Sequence, residues 1–260
     1  MNFEPANPFP LKGVQIWGVE GLPEIHPGDD LPALLFGRLS SIPFSLLPGD
    51  ICVVTQKIVS KAEGALVDLK TITPSPFARS LAERTRKDPR LIEVILRESK
   101  RIVRMDRDII ICETRHGFIC ANAGVDQSNV PGDDRVSVLP ADPDGSARGL
   151  RQGLMKYFQV DVPVLITDTF GRPWREGYTN VAVGVAGLNP LLDLRGERDS
   201  SGYELRKTMI AVGDEIASAA ELVMKKKGRV PVAIVRGYSY QKSEAGSQIL
   251  LRPPEKDLFR

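Results

Sequence analysis

Six short, largely apolar runs constrain this chain most: residues 14–19, 51–55, 109–113, 162–167, 181–185 and 230–235. Each is too short for a core helix, and most are rich in valine and isoleucine, which is the pattern of strands buried in a sheet. Helical patterns lie between them. Asp30 can cap a helix over 31–46, with Pro32 in its first turn. Residues 77–86 form a second, and Asp88-Pro89 opens a third that runs to about residue 99, with Leu91, Val94 and Ile95 on its apolar face. Residues 146–158 place Leu150, Leu154 and Phe158 on one side. The longest pattern, 203–226, carries Leu205, Met209, Val212, Ile216, Ala220 and Val223. Strands and helices alternate irregularly and no repeat is visible. The expected fold is therefore α/β (mixed α+β), a mixed sheet with flanking helices rather than a doubly wound parallel one. With 260 residues the chain can form one large domain or two small ones. A boundary between subdomains is placed first at 71–76 and second at 131–145. Residues 238–260 read as a C-terminal surface tail.

Charge and residue usage narrow the chemistry. A net charge of +2, with both signs interspersed, argues against nucleic acid as the main partner. No apolar run approaches the length needed to span a bilayer, so no membrane is expected. Residues 1–10 carry no signal-peptide pattern, and three cysteines form no CxxC pair, which fits a cytoplasmic protein with buried thiols. Only two histidines are present, His26 and His116. A Ser-His-Asp triad or a multi-histidine zinc site is thereby disfavoured. Carboxylates, hydroxyls, lysines and arginines must carry the chemistry, and hard oxygen donors favour Mg2+ or Mn2+.

The densest chemistry follows the run at 162–167. Asp168 and Thr169 end it, and the next eleven residues, 170–180, add Arg172, Trp174, Arg175, Glu176 and Asn180. An apolar strand that delivers an acid and a hydroxyl to its carboxyl end, followed by Gly and Arg, suits a metal-phosphate site. Asp126, after the small residues of 121–124, is a second such acid. Two carboxylates converging on one Mg2+ is a standard arrangement for phosphoryl transfer. Lys61 can reach a phosphate. Arg172 and Arg175 can offset developing charge or serve as struts for the loop. The plainer alternatives are a cap or turn at each acid, an Asx-turn at Asn129, a solvated Lys61 and a packing role for Trp174. No GxxxxGK[ST] and no GxGxxG after a strand occurs, so a nucleotide would have to be gripped without a P-loop or Rossmann motif.

Six blocks carry a family resemblance: residues 18–25 (GVEGLPEI), 53–64 (VVTQKIVSKAEG), 121–130 (ANAGVDQSNV), 139–147 (LPADPDGSA), 166–177 (ITDTFGRPWREG) and 213–222 (GDEIASAAEL). In this order and over this length the chain resembles the coenzyme F-420:L-glutamate ligase family, the γ-glutamyl ligases of a deazaflavin cofactor. The resemblance implies a family-specific ligase domain over about 14–237. It also implies GTP-dependent activation of a deazaflavin precursor's carboxylate through an acyl phosphate. L-glutamate then attacks, and a further γ-linked glutamate can be added. It implies Mg2+ or Mn2+, two ions per site, together with K+, and a homodimer. A ligase for another carboxylate, or a binding protein that has lost turnover, remains the alternative.

By motif, Asp126 and Asp168 resemble the ligands of the first metal and Thr169 a ligand of the second. Leu22, Pro23, Glu24 and Ile25 resemble a nucleotide-contacting turn. Gln56, Lys61 and Asn129 resemble further nucleotide contacts, although Gln56 stands where relatives can carry Ser. One departure is clear. Where many relatives have a Gly-Glu pair after the long helix, this chain reads MKKKGR at 224–229, without that acid.

Overall fold

The computed structural model describes residues 13–128, 132 and 134–258. The chain opens with β1 (Gln15–Gly18) and α1 (Leu31–Ser40), and β2 (Ile51–Thr55) passes without a loop into α2 (Gln56–Ala62). A second lobe follows: β3 (Leu66–Asp68), α3 (Pro76–Thr85), α4 (Pro89–Glu98), β4 (Ser99–Asp106), β5 (Ile109–Thr114), β6 (Ile119–Ala121) and β7 (Arg135–Ser137). The chain then returns through α5 (Pro143–Phe158), β8 (Val164–Arg172), β9 (Arg175–Ala186), β10 (Leu192–Asp193), β11 (Met209–Ile210), α6 (Val212–Met224) and β12 (Val232–Arg236).

The main sheet is mixed, as the irregular alternation predicts. Its order is β1-β12-β2-β8-β9, and β2–β8 is its single parallel pair. The apolar runs are continuous because both faces are covered. Alternation splits them: Cys52, Val54, Val164 and Ile166 face α1 and α5, packing with Leu35, Leu39, Leu150 and Leu154. Ile51, Val53 and Leu165 face α6 and meet Ile216, Ala220 and Met224. The second lobe has its own core around Leu69, Ile92, Ile95, Ile110, Cys112 and Val136. Cys52, Cys112 and Cys120 are free and buried, and burial pushes the Cys52 thiol up to about 12.

Several elements differ from expectation. The first helix stops at Ser40 rather than 46, because Ile42 precedes Pro43 and that position disfavours helix. α5 begins at Pro143 rather than 146, since Asp142 caps it by accepting from Gly145 N at 2.9 Å. The stretch at 131–145, read above as a candidate boundary, contains β7, which pairs with β3. The predicted helix over 203–226 starts only at Val212. Residues 203–210 instead fold back on 192–199 as a ribbon that turns at Gly202 (φ 81°), with Leu194 N donating to Thr208 O and Gly196 N to Leu205 O. The polar stretch after Asp168 is a hairpin continuing β8 into β9 rather than a loop.

The second lobe runs from β3 to β7. The chain therefore returns near 131–145, whereas 71–76 lies inside that lobe. Past Gly237 the chain packs back: Tyr238, Tyr240 and Leu250 lie against the α6-side core. Ser247 is buried, with its hydroxyl donating to Val183 O at 2.9 Å. Most of this segment is thus docked rather than a surface tail. Among the described residues no helix is long and apolar enough to cross a membrane.

Candidate active site

The parallel pairing of β2 and β8 sets Thr55 beside Thr167, so β2 ends at the edge where β8 runs on past it through Asp168 and Thr169. A cleft of about 950 Å3 opens there, as is usual at the carboxyl ends of strands. The second lobe supplies the facing wall. Its residues 122–124 turn tightly, with Asn122, Ala123 and Gly124 all at positive φ (53°, 53° and 75°). A Cβ at Gly124 would lie 2.8 Å from Leu139, so only glycine fits that bend. The chain then pairs Asp126 with Ser137 through two backbone hydrogen bonds, which fixes the Asp126 carboxylate at the cleft.

Alternation along β8 divides the site in two. Asp168 continues the face of Val164 and Ile166, whereas Thr169 continues that of Leu165, toward α6. On the first side, Lys57 from α2 donates to Asp126 Oδ2 at 2.7 Å and to Ser128 O and Oγ at 2.8 and 2.7 Å. Burial disfavours the Asp126 charge, yet the bonds from Lys57 and Ser128 outweigh it and hold this carboxyl below the usual range. Asp168 has the Thr169 backbone N–H and the more distant charges of Lys226 and Lys57, but no side-chain ion pair among the described residues. Burial, reinforced by the nearby Asp126 charge, pushes its carboxyl up to about 6.

On the second side, Thr169 Oγ1 donates to Asn180 Oδ1 at 2.7 Å, and Asn180 Nδ2 donates to Glu221 Oε2 at 2.9 Å. Lys226, just past α6, donates to the same Thr169 oxygen. Across the cleft, Lys61 pairs with Glu24 of the 22–25 turn, which lowers the Glu24 pKa.

Of the residues singled out from sequence, Leu22, Pro23, Glu24, Ile25, Gln56, Lys61, Asp126, Asp168 and Thr169 all line this cleft. The Gln56 side chain is buried and accepts from Ser60 Oγ at 2.8 Å, so it serves α2 itself. Asn129 lies outside the described residues. Arg172 and Arg175 lie on the hairpin beyond the cleft. Arg172 donates to the carbonyls of Glu176 (2.6 Å) and Gly177 (3.3 Å), the geometry of a strut. Sequence reasoning missed Lys57, Asn180, Glu221 and the cationic run at 225–229 as wall residues. Lys57 was detectable: it stands four residues before Lys61, which puts both on one helix face.

The donor set fits a hard divalent ion between Asp126 and Asp168. Two carboxylates, one of them raised by burial and then by its neighbour's charge, present a place where a cation would be favoured. Among the described residues no three acidic, histidine or cysteine side chains converge as a metal cage, so phosphate and water would complete the shell. The cleft wall carries six cationic side chains against four carboxylates, a balance suited to a polyanion.

Sequence comparison agrees with this geometry. The family model described as F420-0:Gamma-glutamyl ligase matches residues 21–237. The coenzyme F420:L-glutamate ligase of Methanothermobacter thermautotrophicus is 50% identical over 251 residues, 95% of this chain and 99% of that protein. The protein of the same name from Methanopyrus kandleri is 48% identical over 96% of this chain and 100% of its own length. That of Haloarcula marismortui is 40% identical, over 95% and 96%. A full-length match of this kind, with Asp126 and Asp168 at one cleft, places the chain in the F420-0:Gamma-glutamyl ligase family.

Proposed function

We propose that this protein joins L-glutamate to the carboxylate of a deazaflavin precursor at the expense of GTP, with further γ-linked addition following by the same chemistry. The observation that carries the reading is that Asp126 and Asp168 line one cleft, close enough for the charge of one to raise the other, in a wall where cationic side chains outnumber carboxylates. In this reading the precursor's carboxylate oxygen attacks the γ-phosphorus and GDP departs. The amine of glutamate then attacks the acyl carbon, phosphate leaves, and the amine proton passes to solvent. Phosphoryl transfer of this kind needs alignment and charge neutralisation more than a strong base, which suits a site without histidine.

A Mg2+ or Mn2+ ion held by Asp126 and Asp168 would supply charge neutralisation at the transferring phosphate. Lys57, freed from Asp126 when that carboxylate takes a metal, would lie within reach of phosphate oxygens. Lys61 and Glu24 would fix the 22–25 turn as the nucleotide's wall. K+, a cytoplasmic setting and a homodimer belong to the same reading. Mass spectrometry tests the reaction: glutamylated deazaflavin and GDP should form together, and only with Mn2+, GTP, glutamate and precursor all present. GDP binding without product would leave a binding protein. Product from a different carboxylate would move the substrate assignment.

A further inference from the structure

The two sides of the cleft each carry a lysine ammonium on an oxygen donor, but the two contacts differ in kind. Lys57 sits on a carboxylate, which a divalent ion can take from it. Lys226 sits on the Thr169 hydroxyl, whose own proton is already committed to Asn180 Oδ1. A hydroxyl whose hydrogen is engaged in this way turns its lone pairs outward, toward a cation. Asn180 is buried and its amide is fixed at both ends, since its nitrogen donates to Glu221. Glu221 forms no ion pair among the described residues, so its charge is available to this end of the cleft. The network from Glu221 through Asn180 to Thr169 is a cation-receiving device, and the cation on it is Lys226.

The backbone also favours that placement. Lys225 terminates α6 at φ 51° and ψ 157°, a region that non-glycine residues rarely adopt. The turn it begins carries Lys226 back over the end of β8.

We propose that Lys226 is a built-in cation at the Thr169 end of the cleft, standing where a second divalent ion would otherwise bind. The site then holds one divalent ion, between Asp126 and Asp168, and meets the far phosphate with its own ammonium. This rests on the ligase reading above, and it accounts for a KKK run where an acid was expected.

The full chain can be titrated with Mn2+ in the presence of GDP. Bound ions are counted from the loss of the free Mn2+ paramagnetic signal and by metal analysis after gel filtration. The wild type is compared with Lys226→Glu, and melting curves verify that the variant is folded. The expected result is one ion in the wild type and one more in Lys226→Glu, with a Mn–Mn coupled signal in the variant alone. A wild type that binds two ions, or a Lys226→Glu chain that binds no more than the wild type, overturns the proposal. The two readings fail separately. A wild type that binds no ion removes the Asp126–Asp168 site, whereas a wild type that binds two, or no difference between the two chains, removes the role of Lys226.

Discussion

The β8–β9 hairpin has two halves of opposite character. Its inner half, Val164 to Thr169 against Asn180 to Ala186, is buried and ends on the groups that meet in the cleft. Its outer half holds Arg172, Trp174 and Arg175 in solvent, with Trp174 86% exposed. Both halves carry functional residue types, the outer half more densely. What separates them is backing: the inner half lies between α5 and α6, so its side-chain directions are fixed, while the outer half has a neighbour on one strand only. A bulge at Val183, between the pairs Ile166–Gly184 and Thr167–Ala182, marks the place where the sheet hands over to the site.

The largest test of that contrast is Asp168→Asn. If Asp168 holds the catalytic divalent ion, turnover should fall by roughly 10^2- to 10^3-fold, since such an ion contributes several kcal/mol to charge stabilisation. Steady-state GDP release measures it, and near-normal turnover would remove Asp168 from the site. The same variant should be more stable than the wild type in metal-free buffer. The folded protein holds this carboxyl at about 6, above the ordinary 3.8, so it favours the neutral form. Below about pH 4 the acid is protonated in both states and costs nothing. As pH rises through 6 the fold must carry a buried charge, and loses up to about 3 kcal/mol. The expected melting gain for Asp168→Asn is a few degrees at pH 7.5, shrinking toward zero at pH 4. A gain that grows on acidification would contradict the burial argument.

Asn180→Ala should come next. It strands the Thr169 hydroxyl and Glu221 together, at about 1–3 kcal/mol of stability for lost buried hydrogen bonds. Because Asn180 orients a cleft residue without itself lining the Asp126 side, turnover should fall by about 10- to 100-fold. Denaturant midpoints and kcat measured on one preparation separate the two effects. A stability loss with full activity would make this network structural only.

The sequence made the central sheet legible because its strands are covered on both faces and therefore read as unbroken apolar runs. Asp168 was legible for the same reason, standing at the end of such a run. The ribbon at 192–210 was not, since Leu205 and Met209 fall at helical spacing by coincidence and the segment they pair with, 192–199, is a charged stretch without strand alternation. Nor was the Lys226–Thr169 contact, which joins residues 57 positions apart and depends on how α6 ends. Asn180 lay in the stretch first singled out, yet only the register that pairs it with Thr169 gives it a task.

The smallest effects are expected on the outer half, and they decide what its arginines are for. Arg172 is exposed and, among the described residues, bonds only to hairpin carbonyls. Arg172→Ala should cost about 0.5–1.5 kcal/mol locally. Faster amide exchange at 176–178 would show it, with kcat/KM changed by less than about threefold. Arg175→Ala should change neither. If the arginines stabilised the transferring phosphate, either substitution would instead cost two orders of magnitude or more, about 3 kcal/mol of transition-state binding. A result of that size would mean that the hairpin tip reaches chemistry which its own cleft does not contain. The nearest geometry able to supply it is the cleft of a second copy, so the same assay run across a range of protein concentrations would separate a strut from an arm.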